Sequence, residues 1–152
     1  MRSNTRQISL FYIGSQSQGE IYQKIRRSGN WEAEAELKVN DRLNLVAGQG
    51  SYIACTASGE SFTIYYTESN EELSMATGPN SDKFWESDSI RTGKKPLKGR
   101  VDGPLVVARG RTDTLLAYTD LKRAPQLICL NHETETWTPL GKPPQSVIAL
   151  QY

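Results

Sequence analysis

Apolar and polar residues alternate in short runs along most of the chain. Runs of Ile, Val, Tyr, Thr and Leu are separated by turns rich in Gly, Ser, Asn and Asp, and no long segment has the spacing of an amphipathic helix. The stretch NWEAEAELKV (30–39) is rich in helix-forming residues, yet its apolar positions recur with period two, as in an outer strand of a sheet. The pattern therefore predicts an all-β protein.

The chain contains an internal repeat. Residues 51–68 align without a gap on residues 103–120, an offset of 52, with apolar residues on apolar residues. A tyrosine is followed 19 residues later by a tryptophan three times, as Tyr12 and Trp31, Tyr66 and Trp85, and Tyr118 and Trp137. Each repeat contains four strand-like segments, which is typical of a β-propeller blade. The sequence predicts one domain, 1–152, with blades over 8–45, 51–92 and 103–142.

The number of blades predicts an assembly of two chains. The first blade lacks a first strand because few residues precede Ile8, whereas SVIAL at 146–150 resembles SYIAC at 51–55. Propellers have about four to eight blades, so three blades cannot close a ring. We therefore predict a six-bladed homodimer in which 146–152 supplies the first strand of blade one, in the partner chain. The alternative is that the sequence is part of a longer six-bladed chain.

Composition narrows the partners and the compartment. The chain has 18 Lys+Arg against 17 Asp+Glu, so its charge gives no reason to expect nucleic acid or an anionic membrane. No apolar run approaches the roughly 20 residues of a membrane span or forms a signal peptide, and we expect a cytoplasmic protein. Cys55 and Cys129 lie in apolar runs and are expected as reduced core residues. With one histidine and no CxxC, no metal or other cofactor is expected.

The repeat length, the aromatic residue that ends the second strands, and the GNW (29–31) and KFW (83–85) at the fourth strands resemble the fucose-specific lectin family of fungi and bacteria. The resemblance covers nearly the whole chain. It implies a six-bladed propeller, in some members assembled from short chains. It also implies sugar binding between adjacent blades by an Arg on the second strand, a Glu on the third strand and stacking aromatic residues.

The polar residues of that sugar site are missing from the matching positions. The second strands carry Ser9, Leu10 and Phe11, then Thr63, Ile64 and Tyr65, then Leu115, Leu116 and Ala117. The third strands carry Gln23, Ser74 and Ile128. Glu20 and Glu72 lie two or three residues before the matching positions. Aromatic and apolar residues remain at these positions. We therefore expect a ligand that is recognised by stacking and not through the family's Arg/Glu clamp.

The candidate ligand-binding residues are aromatic and basic. They are Trp31, Trp85, Trp137, Tyr12, Tyr66, Tyr118, Arg27 and Arg109. For each aromatic residue the alternative is packing between blades, or capping of a loop by a tyrosine hydroxyl. The basic run RTGKKPLKGR (91–100) is interpreted as longer than its equivalents, and is either a solvated loop or a lid or anion contact. His132 is expected as an exposed turn residue without a nucleophile beside it.

Two hypotheses of function follow. In the first, the protein is a lectin-like module that binds a glycan or glycoconjugate between blades by aromatic stacking. In the second, it is a cofactor-free fungal enzyme of lectin-like fold that steers a pericyclic reaction, such as a hetero-Diels–Alder cycloaddition, of a hydrophobic small molecule. Such a reaction needs only a shaped apolar pocket and one or two hydrogen-bond donors. A scaffold that binds protein on the propeller face is a third option. The binding module is favoured because recruitment as an enzyme is rarer.

Overall fold

A computed structural model describes residues 8–14, 18–39, 43–59, 61–79 and 85–143. These residues form strands and turns only, which confirms the all-β prediction, and none of them belongs to a helix that could cross a membrane. The strands are β1 (Ile8–Ile13), β2 (Ile21–Arg27), β3 (Asn30–Trp31), β4 (Ala35–Glu36), β5 (Lys38–Val39), β6 (Leu43–Asn44), β7 (Ile53–Ser58), β8 (Ser61–Thr67), β9 (Leu73–Pro79), β10 (Glu86–Ser89), β11 (Arg91–Thr92), β12 (Lys95–Pro96), β13 (Val106–Arg109), β14 (Asp113–Thr119), β15 (Pro125–Asn131) and β16 (Thr136–Gly141).

Three antiparallel sheets of four strands each make up most of the structure. In the first sheet β1 pairs with β2, and both β3 and β4 pair with the other edge of β2. The second sheet has the order β7-β8-β9-β10, and the third has the order β13-β14-β15-β16. The stretch 30–39 is thus extended, as predicted, but it forms short strands instead of one outer strand. The predicted strand 146–152 lies outside the described residues.

A small hairpin follows each of the first two sheets, and both hairpins are held in the same way. In the first, Leu45 N donates to Leu37 O at 2.7 Å; in the second, Leu97 N donates to Ile90 O at 2.8 Å. The hairpins are β5–β6 and β11–β12. The basic run 91–100 therefore contains an element that the chain builds twice, and the expectation of an extra-long loop there is wrong.

The core consists of two apolar clusters, each between two successive sheets. Between the first and second sheets lie Ile21, Leu37, Leu45, Ala47, Ile64, Tyr66, Ala76 and Trp85. Between the second and third sheets lie Tyr65, Leu73, Ile90, Leu105, Leu116, Tyr118, Ile128 and Trp137. Because side chains alternate between the two faces of a strand, the second sheet contributes Ile64 and Tyr66 to one cluster and Tyr65 to the other.

Candidate functional site

A cleft of about 250 Å³ opens where the second sheet meets the third. The β11–β12 hairpin and β10 form one wall, and the turn before β16 with the start of that strand forms the other. Its lining residues are Met75, Asp88, Ser89, Arg91, Gly93, Glu135, Thr136 and Trp137. The cleft combines charged, hydroxyl, thioether and indole groups, so it offers hydrogen-bonding groups beside apolar surface.

Trp137 forms the aromatic part of the cleft. Its ring contacts Tyr65 of the second sheet edge-on, with ring centroids 6.3 Å apart and an interplanar angle of 88°. The side chain is 9% exposed, and its indole N–H is buried without an acceptor among the described residues. A buried donor without a partner is costly, and the indole N–H of Trp85 is buried in the same way.

Three charged side chains reach the cleft from three different elements. Asp88 lies on β10, Arg91 begins β11, and Glu135 lies in the turn before β16. Arg91 is positioned by a hydrogen bond from Nη1 to the carbonyl oxygen of Lys94, at 3.3 Å. Glu135 has a positive φ of 53°, a conformation that non-glycine residues rarely adopt outside turns. Two carboxylates and one guanidinium thus line the cleft together with the indole of Trp137.

Three predicted ligand-binding aromatics are packed inside the protein. Trp85, Tyr66 and Tyr118 belong to the core clusters, and none of them lines the cleft. The Trp85 ring contacts Phe11 edge-on, at a centroid distance of 5.7 Å, and lies against the backbone of Gly78. These three side chains are therefore packed between sheets. Burial is also the leading cause that raises the pKa of Tyr118.

The remaining candidates lie on exposed or half-exposed surface. Trp31 on β3 is 47% exposed. Tyr12 stacks on Tyr22 with ring centroids 5.8 Å apart and donates a hydrogen bond to Glu34. That hydrogen bond is the main cause that raises the pKa of the Tyr12 hydroxyl. None of these residues lines the cleft.

The two predicted arginines also lie away from the cleft lining. Arg27 forms an exposed ion pair with Glu32, with 3.2 Å between Nη1 and Oε1. Arg109 lies on β13, close enough to Tyr65 for its charge to oppose the rise in the pKa of Tyr65 that burial causes. Of the eight predicted site residues, only Trp137 lines the cleft.

His132 and Cys55 both differ in exposure from what the sequence predicts. His132 does not point freely into solvent, since it is half-buried and its Nε2 lies 2.8 Å from Thr114 Oγ1. Cys55 is exposed, so the expectation of a core thiol is wrong there, and Cys129 is half-buried. Within the described ranges, no group of three or more His, Cys, Asp or Glu side chains is placed to hold a metal ion.

Sequence reasoning missed Met75, Asp88 and Glu135. Their positions in the alignment do carry a signal, because Asp88 lies near the end of the fourth strand and Glu135 lies in the turn two residues before Trp137. The resembling family holds its clamp on the second and third strands, whereas these residues lie mostly on the fourth strand and in a turn. Arg91 belongs to the basic run 91–100, and nothing in the sequence around it indicates that it lines the same cleft as Trp137.

The comparisons with known proteins show the fold. No protein-family profile and no curated protein matches the sequence. Among solved structures, a fucose lectin from Kordia zhangzhouensis, determined in complex with methyl-fucoside, is similar to this chain with a TM-score of 0.60 and 10% sequence identity. The similarity covers 91% of this chain and 92% of the lectin chain. The protein therefore has a lectin-like all-β fold along nearly its whole described length.

Proposed function

We propose that the protein is a carbohydrate-binding module and that its ligand lies in the cleft between the second and third sheets. The observation that carries this proposal is the cleft itself, in which Trp137 lies beside Asp88, Arg91 and Glu135. The lectin-like fold supports it, since the similar solved structure is a fucose lectin.

The chemistry of the cleft suits a sugar. Carboxylates accept hydrogen bonds from ring hydroxyls, a guanidinium donates to hydroxyl or ring oxygens, and charge-assisted hydrogen bonds are stronger than neutral ones. The indole of Trp137 and the thioether of Met75 offer apolar surface for the C–H face of a pyranose. The clamp that the resembling family holds on its second and third strands is thus replaced here by residues of the fourth strand, the hairpin and the neighbouring turn.

The pericyclic-reaction hypothesis needs an apolar pocket that excludes water. The cleft carries three charged side chains at its surface, which favours binding of a hydroxylated ligand instead. The enzymatic alternative stays a prediction without a supporting observation.

The first test is a glycan array, free fucose included, followed by calorimetry with the best glycan. Asp88→Asn combined with Glu135→Gln should weaken binding by about tenfold or more, because each carboxylate loses a charge-assisted hydrogen bond and about 1.4 kcal/mol corresponds to a factor of ten. Glu86→Gln is the matched control, since Glu86 is exposed on the same strand as Asp88 and does not line the cleft. A silent array, or equal affinities in the double variant and the control, would contradict the proposal.

We also propose that the sheets are blades of a six-bladed propeller made by two chains. The repeat along the sequence supports it, as do the three four-stranded sheets and the lectin-like fold. The exchange of 146–152 into the partner rests on the match between 146–150 and 51–55 alone.

A further inference from the structure

The cleft between the second and third sheets carries more negative than positive charge. Asp88 and Glu135 contribute two carboxylates, Arg91 contributes one guanidinium, and the other side chains of the lining are uncharged. The chain as a whole has 18 Lys+Arg against 17 Asp+Glu, so this excess of negative charge is local. Lys94 and Lys95 lie on the same hairpin as Arg91, but neither of them lines the cleft. The cleft therefore favours a cationic group of a ligand over an anionic one.

Neither carboxylate of the cleft is engaged in an ion pair. Among the described residues, none of the ion pairs involves a side chain that lines the cleft. The Arg91 guanidinium donates instead from Nη1 to the carbonyl oxygen of Lys94, at 3.3 Å, within its own hairpin. A cationic group of a ligand can therefore pair with Asp88 and Glu135 without breaking an ion pair of the protein.

The two carboxylates come from the two walls of the cleft. Asp88 on β10 is directly opposite Met75 of β9, and residues paired in this way have their side chains on the same face of a sheet. Glu135 belongs to the turn that precedes β16 of the third sheet. A small cationic group that enters the cleft thus meets one carboxylate from each of two sheets.

The indole of Trp137 suits the same kind of ligand group. Its ring is held by the core cluster between the second and third sheets and by the edge-on contact with Tyr65, so it is a fixed part of the lining. The π electrons of an aromatic ring attract a nearby cation, and tryptophan does so more strongly than tyrosine or phenylalanine. The cleft therefore combines negative charge and an indole with the apolar thioether of Met75, which fits a cation carried on a partly apolar frame.

We propose that the cleft selects an amino sugar, and that Asp88 and Glu135 hold its protonated amino group beside Trp137. A hydroxyl or an acetamido group at the same position of the sugar ring is neutral, so it forms hydrogen bonds with the carboxylates but gains no attraction between opposite charges. This inference rests on the proposed function, since it names the class of sugar that the same cleft binds.

The exposure of the two carboxylates sets the size of the expected preference. Asp88 and Glu135 are both exposed, and water and salt weaken ion pairs at such positions. One exposed ion pair changes an equilibrium constant by a few-fold at most, and a cation beside an indole adds a similar factor. We therefore expect the amino form of a sugar to bind about tenfold more tightly than its hydroxyl form at low ionic strength, and the preference to shrink as salt is added.

The test compares methyl glycosides that carry a hydroxyl, amino or acetamido group at C2, in both the gluco and the galacto series, by ligand-observed NMR titration of the full chain. The amino and hydroxyl forms are nearly equal in size, so charge is their main difference. Asp88→Asn combined with Glu135→Gln should abolish the preference for the amino form, and Arg91→Gln should increase it, because a repelling cation is removed. Glu86→Gln combined with Glu133→Gln is the matched control, since it removes two exposed carboxylates from the same strand and the same turn without changing the lining, and it should keep the preference.

A hydroxyl or acetamido form that binds as tightly as the amino form overturns this inference. So does a preference that survives the loss of both carboxylates of the cleft, and so does a glycan array on which sulfated or carboxylated glycans bind best. The array also separates this inference from the proposed function. Neutral glycans that bind on the array, and bind more weakly to the double variant, would leave the cleft a carbohydrate site without selection for an amine. No binding either on the array or in the titrations would overturn both.

Discussion

The three tryptophans of the repeat differ in burial because their sheets differ in what lies beside them. Trp85 and Trp137 are core residues, one of which also lines the cleft, whereas Trp31 is half-exposed on an outer face. The Trp85 ring needs space beside strand β9, and Gly78, which has no side chain, leaves that space. A Cβ at this position would lie 2.4 Å from the Trp85 ring.

We expect Gly78→Ala to destabilise the protein by about 1–3 kcal/mol, the usual cost of overpacking a core. The added methyl group would force Trp85 or the β9 backbone to move, since the ring is fully buried and cannot swing into solvent. Urea denaturation measures the free energy of unfolding. Ser87→Ala, an exposed change on the neighbouring β10, should stay within about 0.5 kcal/mol of wild type. Equal stabilities of the two variants would contradict the packing described for Trp85.

At the scale of elements, the turns that join strands depend on single polar side chains. Asp120 closes the turn between β14 and β15: its Oδ1 accepts hydrogen bonds from the backbone N–H groups of Lys122 and Ala124, each at 2.9 Å, and its Oδ2 accepts one from Gln126 Nε2 at 2.9 Å. The hydrogen bond from Ala124 is the largest cause that lowers the pKa of the Asp120 carboxyl, followed by that from Gln126. The charged form of the side chain therefore stabilises the folded hairpin.

We expect this turn to make stability depend on acidity. Because the pKa of Asp120 is lower in the folded chain than the ordinary value of about 3.9, the unfolded chain binds more protons as the pH falls below that value. The contribution of Asp120 is present above that pH and is lost as the pH falls through the folded pKa. Urea denaturation between pH 7 and pH 2.5 should therefore show a steeper acid loss in wild type than in Asp120→Asn. Glu133→Gln controls for the removal of one negative charge in the next turn along the chain, at the other end of β15. Parallel curves for wild type and Asp120→Asn would contradict the assignment.

At the scale of the whole molecule, three sheets in a row leave the outer faces of the first and third sheets uncovered within the described residues. The proposed ring of two chains would cover both faces. Strand exchange would in addition require residues 146–152 to pair beside β1 of the partner.

Deletion of 146–152 should therefore lower the melting temperature and weaken the dimer, if the segment supplies a strand of the first blade. Differential scanning calorimetry and light scattering measure the two effects. Replacement of the segment's last residue, Tyr152→Ala, is the control for a change that leaves Val147–Leu150 in place. A deletion variant with unchanged stability and unchanged mass in light scattering would exclude strand exchange.

The sequence by itself determined the fold class and the positions of most strands. Alternation with period two and the offset of 52 between 51–68 and 103–120 are local and repetitive features, and they correspond to β7 with β8 and to β13 with β14. The spacing of 19 residues from tyrosine to tryptophan likewise marked the second and fourth strands of each repeat. Local periodicity suffices here because the direction of each side chain relative to its sheet follows from the strand geometry alone.

Only the tertiary structure decided which of these residues meet. The cleft joins Asp88 and Arg91 to Glu135 and Trp137, residues of different repeats whose contact depends on how the second sheet faces the third. The sequence also does not indicate that Trp85 and Trp137 are buried while Trp31 is half-exposed, since the three occupy the same place in the repeat. A repeated sequence specifies equivalent sheets, but the burial of each copy depends on what lies beside it, and that is a property of the arrangement of sheets and not of any local pattern.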